Sequence, residues 1–159
     1  MFLLDTPVVL ELRKSKSERI DAGVAGWAGG TPRQQLFISS LTLLELESSV
    51  VQAGNAALRS WLDDQVMAAF EGRILPVDAA VARKRASVPL TDNRDALLAA
   101  TALVHGLTLV TRNAAAFRSS RLKLFNPWGY APETDEDVAD WRQVAKAGPV
   151  WLKNLFIRS

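Results

Sequence analysis

An α/β fold with a central parallel sheet of four to five strands is what this chain predicts, on three observations. Short apolar runs alternate with longer stretches of helical periodicity. Those helical stretches are bounded by capping and helix-breaking residues. And 159 residues with 48% hydrophobic and 23% charged side chains provide one core of ordinary globular composition.

The elements follow in order. Phe2 to Leu4 is the first strand. Thr6 is placed to N-cap a helix whose first turn holds Pro7, where the missing N–H costs nothing. A second helix is expected from about Ser17 to Trp27, ended by Gly29-Gly30-Thr31-Pro32. Gln35 to Ser39 is the second strand, and Ser40 a candidate cap for a helix over about Leu41 to Gln52. After the Gly54-Asn55 turn, Ala56 to Phe70 reads as one long amphipathic helix with Leu58, Trp61, Leu62, Val66 and Phe70 on or near one face. Ile74 to Val77 is a short buried strand, and Asp78 caps a helix that Val88-Pro89 breaks. Asp95 to His105 forms a helix closed by Gly106, followed by an apolar strand over Leu107 to Thr111. Leu122 to Phe125 adds an edge strand. Beyond residue 130 the composition changes: five acids fall between Glu133 and Asp140, and three of the five tryptophans lie in the last 32 residues. Residues 1–130 are therefore expected to form the domain, and 131–159 an extension that packs on it, on a second copy or on a partner.

What is scarce narrows the chemistry. The chain has no Cys and one His, His105, which excludes thiolate and multi-histidine metal sites and a cysteine nucleophile. Four apolar residues before Asp5 do not make a secretory signal, and no stretch approaches the ~18 apolar residues of a membrane span. A cytoplasmic protein without membrane contact is expected. Residues 1–130 carry 15 basic against 12 acidic side chains and residues 131–159 carry 4 against 5, together the net +2 of the chain. A mildly basic body is compatible with a polyanionic substrate.

In a parallel α/β sheet the reactive groups gather at the carboxyl ends of the strands. That filter selects Asp5 after the first strand, Thr111, Arg112 and Asn113 after the Leu107 strand, Glu45 about one turn into the helix after strand two, and Asp95 at the start of the helix feeding the Leu107 strand. Three carboxylates without His or Cys suit a hard cation, Mg²⁺ or Mn²⁺. Each of two acids also has a structural role open to it, Asp5 as a helix-terminus charge and Asp95 as an N-cap. Glu45, between Leu44 and Leu46, is awkward for a merely solvated acid. Glu47 lies about 200° around the helix from it and faces elsewhere.

Four ordered blocks resemble those of PIN-domain ribonucleases, in particular the VapC/FitB type of toxin from type II toxin–antitoxin modules: Phe2-Leu3-Leu4-Asp5-Thr6, Ile38 to Leu46, Asp95 to Asn113, and Phe125-Asn126-Pro127-Trp128. The resemblance covers about residues 1–128 and implies a three-layer PIN-like, Rossmannoid fold. It implies a metal-dependent endoribonuclease in which Asp5, Glu45 and Asp95 bind Mg²⁺ or Mn²⁺ and RNA is hydrolysed to 5′-phosphate and 3′-hydroxyl ends. Thr6, Thr111 and Asn113 match polar positions that orient the acids or the phosphate, and Arg112 a phosphate contact, although a solvated surface arginine is the other reading of Arg112. It further implies a homodimer, silenced by a cognate antitoxin in a heterotetramer or larger assembly. A catalytically silent PIN domain serving as an antitoxin- or nucleic-acid-binding module is the alternative. A phosphoacceptor receiver domain fits less well, since it needs paired N-terminal acids and a lysine after the final strand.

The remaining polar candidates have structural readings. His105 lies in the last helical turn, where a cation favours the helix end. Arg83-Lys84-Arg85 reads as a solvated face or a lining for RNA, Trp61 as packing, and Asp92 as part of the Thr91-Asp92-Asn93 turn.

The chain departs from the family pattern twice. Pro7 stands where Asn usually follows Asp-Thr, and Ala116 replaces the acid of the Thr-Arg-Asn-x-x-Asp-Phe block. A three-acid site holds one ion and binds a second poorly. Ala116→Asp is expected to raise Mn²⁺ affinity or cleavage rate in an RNA-cleavage titration against Mn²⁺; no gain in either would refute this role for residue 116.

Overall fold

The computed structural model describes residues 1–14 and 20–131. Five short strands form one parallel sheet: β1 (Phe2–Leu4), β2 (Leu36–Ser39), β3 (Ile74–Leu75), β4 (Thr108–Val110) and β5 (Leu124–Phe125), in the spatial order β3-β2-β1-β4-β5. The first strand is therefore the central one. It pairs with β2 through Leu3 opposite Phe37 and with β4 through Leu3 opposite Leu109.

Among the described residues seven α-helices cover the sheet: α1 (Thr6–Arg13), α2 (Ala22–Gly30), α3 (Ser40–Ala53), α4 (Ala56–Ser60), α5 (Met67–Ala69), α6 (Ala79–Arg85) and α7 (Asn93–His105). Strand side chains alternate between two cores, as period-2 geometry requires. Leu4, Leu36, Ile38 and Val110 point into a core with Val8, Leu12, Trp27, Leu46, Leu62 and Phe70 of α1 to α5 and their connections. Leu3 and Leu109 point the other way, onto Val81, Leu98, Ala99 and Phe117. The expected three-layer α/β architecture is thus what the chain adopts, with the larger number of strands.

The helix from Ala56 and the helix capped by Asp78 start as expected, and the other expected helix starts differ by one residue or more through capping. Asp5, not Thr6, caps α1, its side chain accepting from the Thr6 N–H. Ser39, not Ser40, caps α3 by accepting from Leu41 N–H at 3.1 Å. Ile20 and Asp21 are non-helical, and α2 begins at Ala22 because the Asp21 carboxylate accepts from the N–H groups of Gly23 and Val24. The expected start at Ser17 lies outside the described residues. At its other end α2 continues through Gly29 and Gly30, where the Thr31 hydroxyl donates to the Trp27 carbonyl at 2.8 Å. The stretch read as one helix over Ala56 to Phe70 contains a π-helical segment, Trp61–Val66, which keeps Trp61, Leu62 and Val66 all buried. Asp92 caps α7, accepting from Asp95 N–H at 2.8 Å, so Asp95 sits inside the first turn and not at the cap. Gly54 and Gly106 end α3 and α7 with φ of 57° and 64°, the left-handed conformation glycine adopts without strain.

An aromatic chain ties the central strand to the edge. Phe2 meets Trp27 edge-on with ring centroids 5.5 Å apart, Trp27 meets Phe125 at 5.4 Å, and Phe125 meets Tyr130 at 6.1 Å. The start of α2 fits directly under the turn after β5. A Cβ on Gly23 would lie 2.5 Å from the Pro127 carbonyl oxygen and 2.7 Å from Tyr130 N. Segments that the sequence reading left unconnected are thereby pressed together. The expectations for the extension concern residues 132–159, outside the described residues.

Two consequences are measurable. Gly23→Ala is expected to cost about 1–3 kcal/mol in urea unfolding through overpacking against backbone that cannot retreat, whereas Gly30→Ala, with open space around it, changes stability little. The buried Glu11 carboxylate accepts from Asp21 N–H at 2.9 Å and pairs with Lys14 at 2.7 Å. Burial pushes its pKa up, but the Lys14 and Asp21 hydrogen bonds outweigh this and hold it below the ordinary 4.5. A carboxylate depressed in the folded state contributes its full stability above the unfolded value and loses it as pH falls through the folded one. Thermal melts between pH 6 and 3 are expected to show a steeper acid loss of stability in the native chain than in Glu11→Gln.

Candidate active site

β1 lies at the point where successive connections turn from one side of the sheet to the other, toward β2 and β3 and then toward β4 and β5. At such a switch point the loops diverge and leave a crevice at the strand carboxyl ends. Asp5 stands there, directly after β1, with its side chain nearly buried.

Both Asp5 oxygens are held. Oδ1 accepts from Thr6 N–H at 2.8 Å, and Oδ2 from the Thr111 hydroxyl at 2.7 Å, a bond linking the ends of the two adjacent strands β1 and β4. Thr111 is fully buried, and its hydroxyl also accepts from Asn113 N–H at 3.1 Å. Glu45 reaches in from the second turn of α3, where Oε2 accepts from the Thr6 hydroxyl. Thr6 therefore bridges the two acids, its N–H to Asp5 and its hydroxyl to Glu45. Thr42, one turn before Glu45, is itself fully buried, its hydroxyl 3.4 Å from the Leu4 carbonyl. Asp95 enters from the first turn of α7.

The three acids meet on a side chain that the sequence reading passed over. The guanidinium of Arg94 donates through Nε to Glu45 Oε1 at 2.6 Å, through Nη1 to Asp95 Oδ1 at 2.9 Å, and through Nη2 to Glu45 Oε2 at 2.9 Å and to Asp5 Oδ1. These are fork-like, charge-assisted bonds, among the stronger polar contacts a protein makes. Their hydrogen bonds, that to Glu45 foremost, raise the Arg94 pKa above its already high ordinary value, so the group is a permanent cation. Burial raises the Glu45 pKa, but hydrogen bonds from Arg94 and Thr6 outweigh burial and hold it below the ordinary carboxylate value. A signal for Arg94 was present in the sequence. A basic residue in the first turn of a helix opposes the positive end of the macrodipole and needs a compensating negative partner.

Asp5, Glu45 and Asp95 are thus brought together as expected, with Thr6 and Thr111 bonded to them. Asn113 reaches the group through its backbone N–H. Arg112 is exposed, and its guanidinium lies over the Trp128 ring at 5.4 Å. Glu47 faces away, paired with Arg59 at 2.8 Å. Arg85 is engaged with Asn93 at 2.9 Å and the Leu90 carbonyl, tying α6 to the start of α7. Trp61 is core packing, with Arg13 over its ring at 5.5 Å.

All three carboxylates are hard oxygen donors turned toward one positive group, the donor chemistry that Mg²⁺ or Mn²⁺ requires. As they stand they close on the guanidinium, and among the described residues no group of three or more Asp, Glu or His side chains is gathered tightly enough to hold a metal ion. Nor, among the described residues, is any helix long and apolar enough to cross a membrane.

The chain is similar to known proteins over most of its length. VapC ribonuclease Y4jK of Sinorhizobium fredii is 30% identical over 140 residues, spanning 80% of this chain and 98% of that protein. Toxin FitB of Neisseria gonorrhoeae is 33% identical over 141 residues, spanning 80% and 99%. The crystal structure of FitAcB from N. gonorrhoeae superposes with a TM-score of 0.74 at 30% identity, covering 80% of this chain and 99% of that one. The PIN domain family matches residues 2–122, which include Asp5, Glu45, Asp95 and the Thr111 strand end, and the chain belongs to that family.

Proposed function

We propose that the chain is a metal-dependent endoribonuclease toxin, acting on RNA in the cytoplasm and neutralised by a cognate antitoxin. The observation that carries this reading is the convergence of Asp5, Glu45 and Asp95 on one cationic point at the switch point of the sheet. Similarity to a VapC ribonuclease and to toxin FitB supports it.

Asp5, Glu45 and Asp95 are the residues that would hold Mg²⁺ or Mn²⁺, which when bound polarises a scissile phosphate and lowers the pKa of an attacking water. The protein's own part is positioning. Thr6 N–H and the Thr111 hydroxyl fix the Asp5 carboxylate in one orientation, and the Thr6 hydroxyl fixes Glu45. Burial of Asp5 and Thr111 keeps water from competing for those bonds. The backbone N–H of Asn113, fastened to Thr111, sets the start of the loop at the β4 end, along which an RNA phosphate would lie. Arg112 stands on that loop as a phosphate contact, its planar group resting on Trp128. Dimerisation and a larger assembly with the antitoxin remain part of the proposal by similarity to the toxin–antitoxin type. So does a separate extension over residues 131–159.

Asp5 also caps α1, so an alanine there would lose about 1 kcal/mol of helix capping as well as a ligand, whereas Asn retains the cap. Purified protein incubated with total cellular RNA and Mn²⁺ is expected to give cuts with 5′-phosphate ends, abolished by EDTA and reduced at least 100-fold in Asp5→Asn. No cuts, or cuts that persist in the variant, would instead favour a silent domain whose role is to bind an antitoxin or nucleic acid.

A further inference from the structure

We infer that Arg94 is a resident counter-cation which a divalent ion must displace, so that this chain loads its metal by exchanging a guanidinium for it. The inference rests on the metal-dependent reading above, and concerns how that site is held when no metal is bound.

Three carboxylates within reach of one group repel one another unless a cation lies among them. Arg94 supplies that cation from within the chain, with side-chain exposures of 29% for Arg94, 4% for Asp5, 30% for Glu45 and 23% for Asp95. The contact is therefore sheltered enough to be strong and open enough for an ion to enter. The bonding inventory then decides whether both cations fit. Asp5 Oδ2 is occupied by Thr111, so Oδ1, the oxygen shared by Thr6 N–H and Arg94, is the one turned to the common point. Glu45 has Oε1 on Arg94 Nε, and Oε2 on Arg94 Nη2 and Thr6. Asp95 gives Oδ1 to Arg94 Nη1. Four of the six carboxylate oxygens, Asp5 Oδ1, both of Glu45 and Asp95 Oδ1, are bonded to the guanidinium, so an ion entering at the common point competes with Arg94 for them.

Arg94 is also well placed to leave. It is the second residue of α7, on the rim of the crevice, and its bonds within the cluster are the four to the acids described above and one from Nη2 to the Thr6 hydroxyl at 3.5 Å. Its long flexible stem lets the head swing outward without moving the helix. Withdrawal costs the protein several charge-assisted hydrogen bonds, and that cost appears as weakened metal affinity. The missing acid at Ala116, on the expectation given above, would act in the same direction.

The test is Mn²⁺ binding measured by electron paramagnetic resonance of the free ion, which requires no RNA and no turnover, together with thermal melts with and without Mn²⁺. Arg94→Ala is expected to bind Mn²⁺ about tenfold more tightly than the native chain, the equivalent of about 1.4 kcal/mol. It is also expected to melt lower without metal and to gain more from Mn²⁺ than the native chain does. Arg94→Lys keeps a charge but not the fork, and falls between the two. Arg94→Gln, uncharged and of helix-forming character, serves for the same comparison if the alanine variant does not fold without metal. Equal or weaker Mn²⁺ binding in a folded, uncharged variant overturns the inference while leaving the metal-dependent reading intact. Absence of Mn²⁺ binding in the native chain and in every variant overturns both.

Discussion

Three acids crowded at one end of a sheet set the terms for everything around them. Each carboxylate is brought in by a different element: Asp5 by the central strand, Glu45 by the helix after β2, and Asp95 by the helix before β4. The fold therefore concentrates negative charge as a consequence of its topology. What makes this tolerable is a guanidinium placed among them and a set of hydroxyl and amide donors behind them. Thr6 and Thr111 orient the acids without changing the charge, and Arg94 offsets part of it. The division matters because the neutral donors leave the charge unchanged, whereas Arg94 is the cation bonded to oxygens of all three acids.

Much of this was legible in the residues. All five strands lie where short apolar runs sit between breakers, and all three acids were selected by position relative to strand ends. Glu45 stood out because leucines flank it, and Glu47 was set aside by helical geometry, in agreement with its pairing to Arg59. The cap residues were less legible. At Asp5-Thr6 and Ser39-Ser40 two adjacent side chains can each accept from the backbone, and the choice depends on which one leaves the strand with extended dihedrals. Arg94 escaped notice because two of its three acid partners lie 49 and 89 positions away in sequence, and only the folded sheet brings them within reach. Arg112 shows the opposite limit: it was chosen for its place after β4, and its contact with Trp128 depends on the fold bringing the turn after β5 beside it.

The same dependence on distant partners explains where the fold tolerates change. Gly23, Trp27, Phe125 and Tyr130 form one packed group although a hundred residues separate the first pair from the second, and it is this group that fastens the edge strand β5 to the body. β5 in turn supports β4, whose end carries Thr111. A backbone contact beneath α2 thus bears on the orientation of a carboxylate at the crevice through two strands.

The placement of β1 at the centre of the sheet has a consequence for synthesis. The strand made first remains without its second neighbour until β4 has been translated, and the Thr111 bond to Asp5 closes across 106 positions. At elongation rates of about 5–20 residues per second, a nascent chain passes several seconds with Asp5 exposed and unoriented, and with Asp95 not yet joined to it. For a protein whose proposed target is RNA this order is protective. The chain carries no assembled crevice until β4 and Thr111 at its end have emerged from the ribosome.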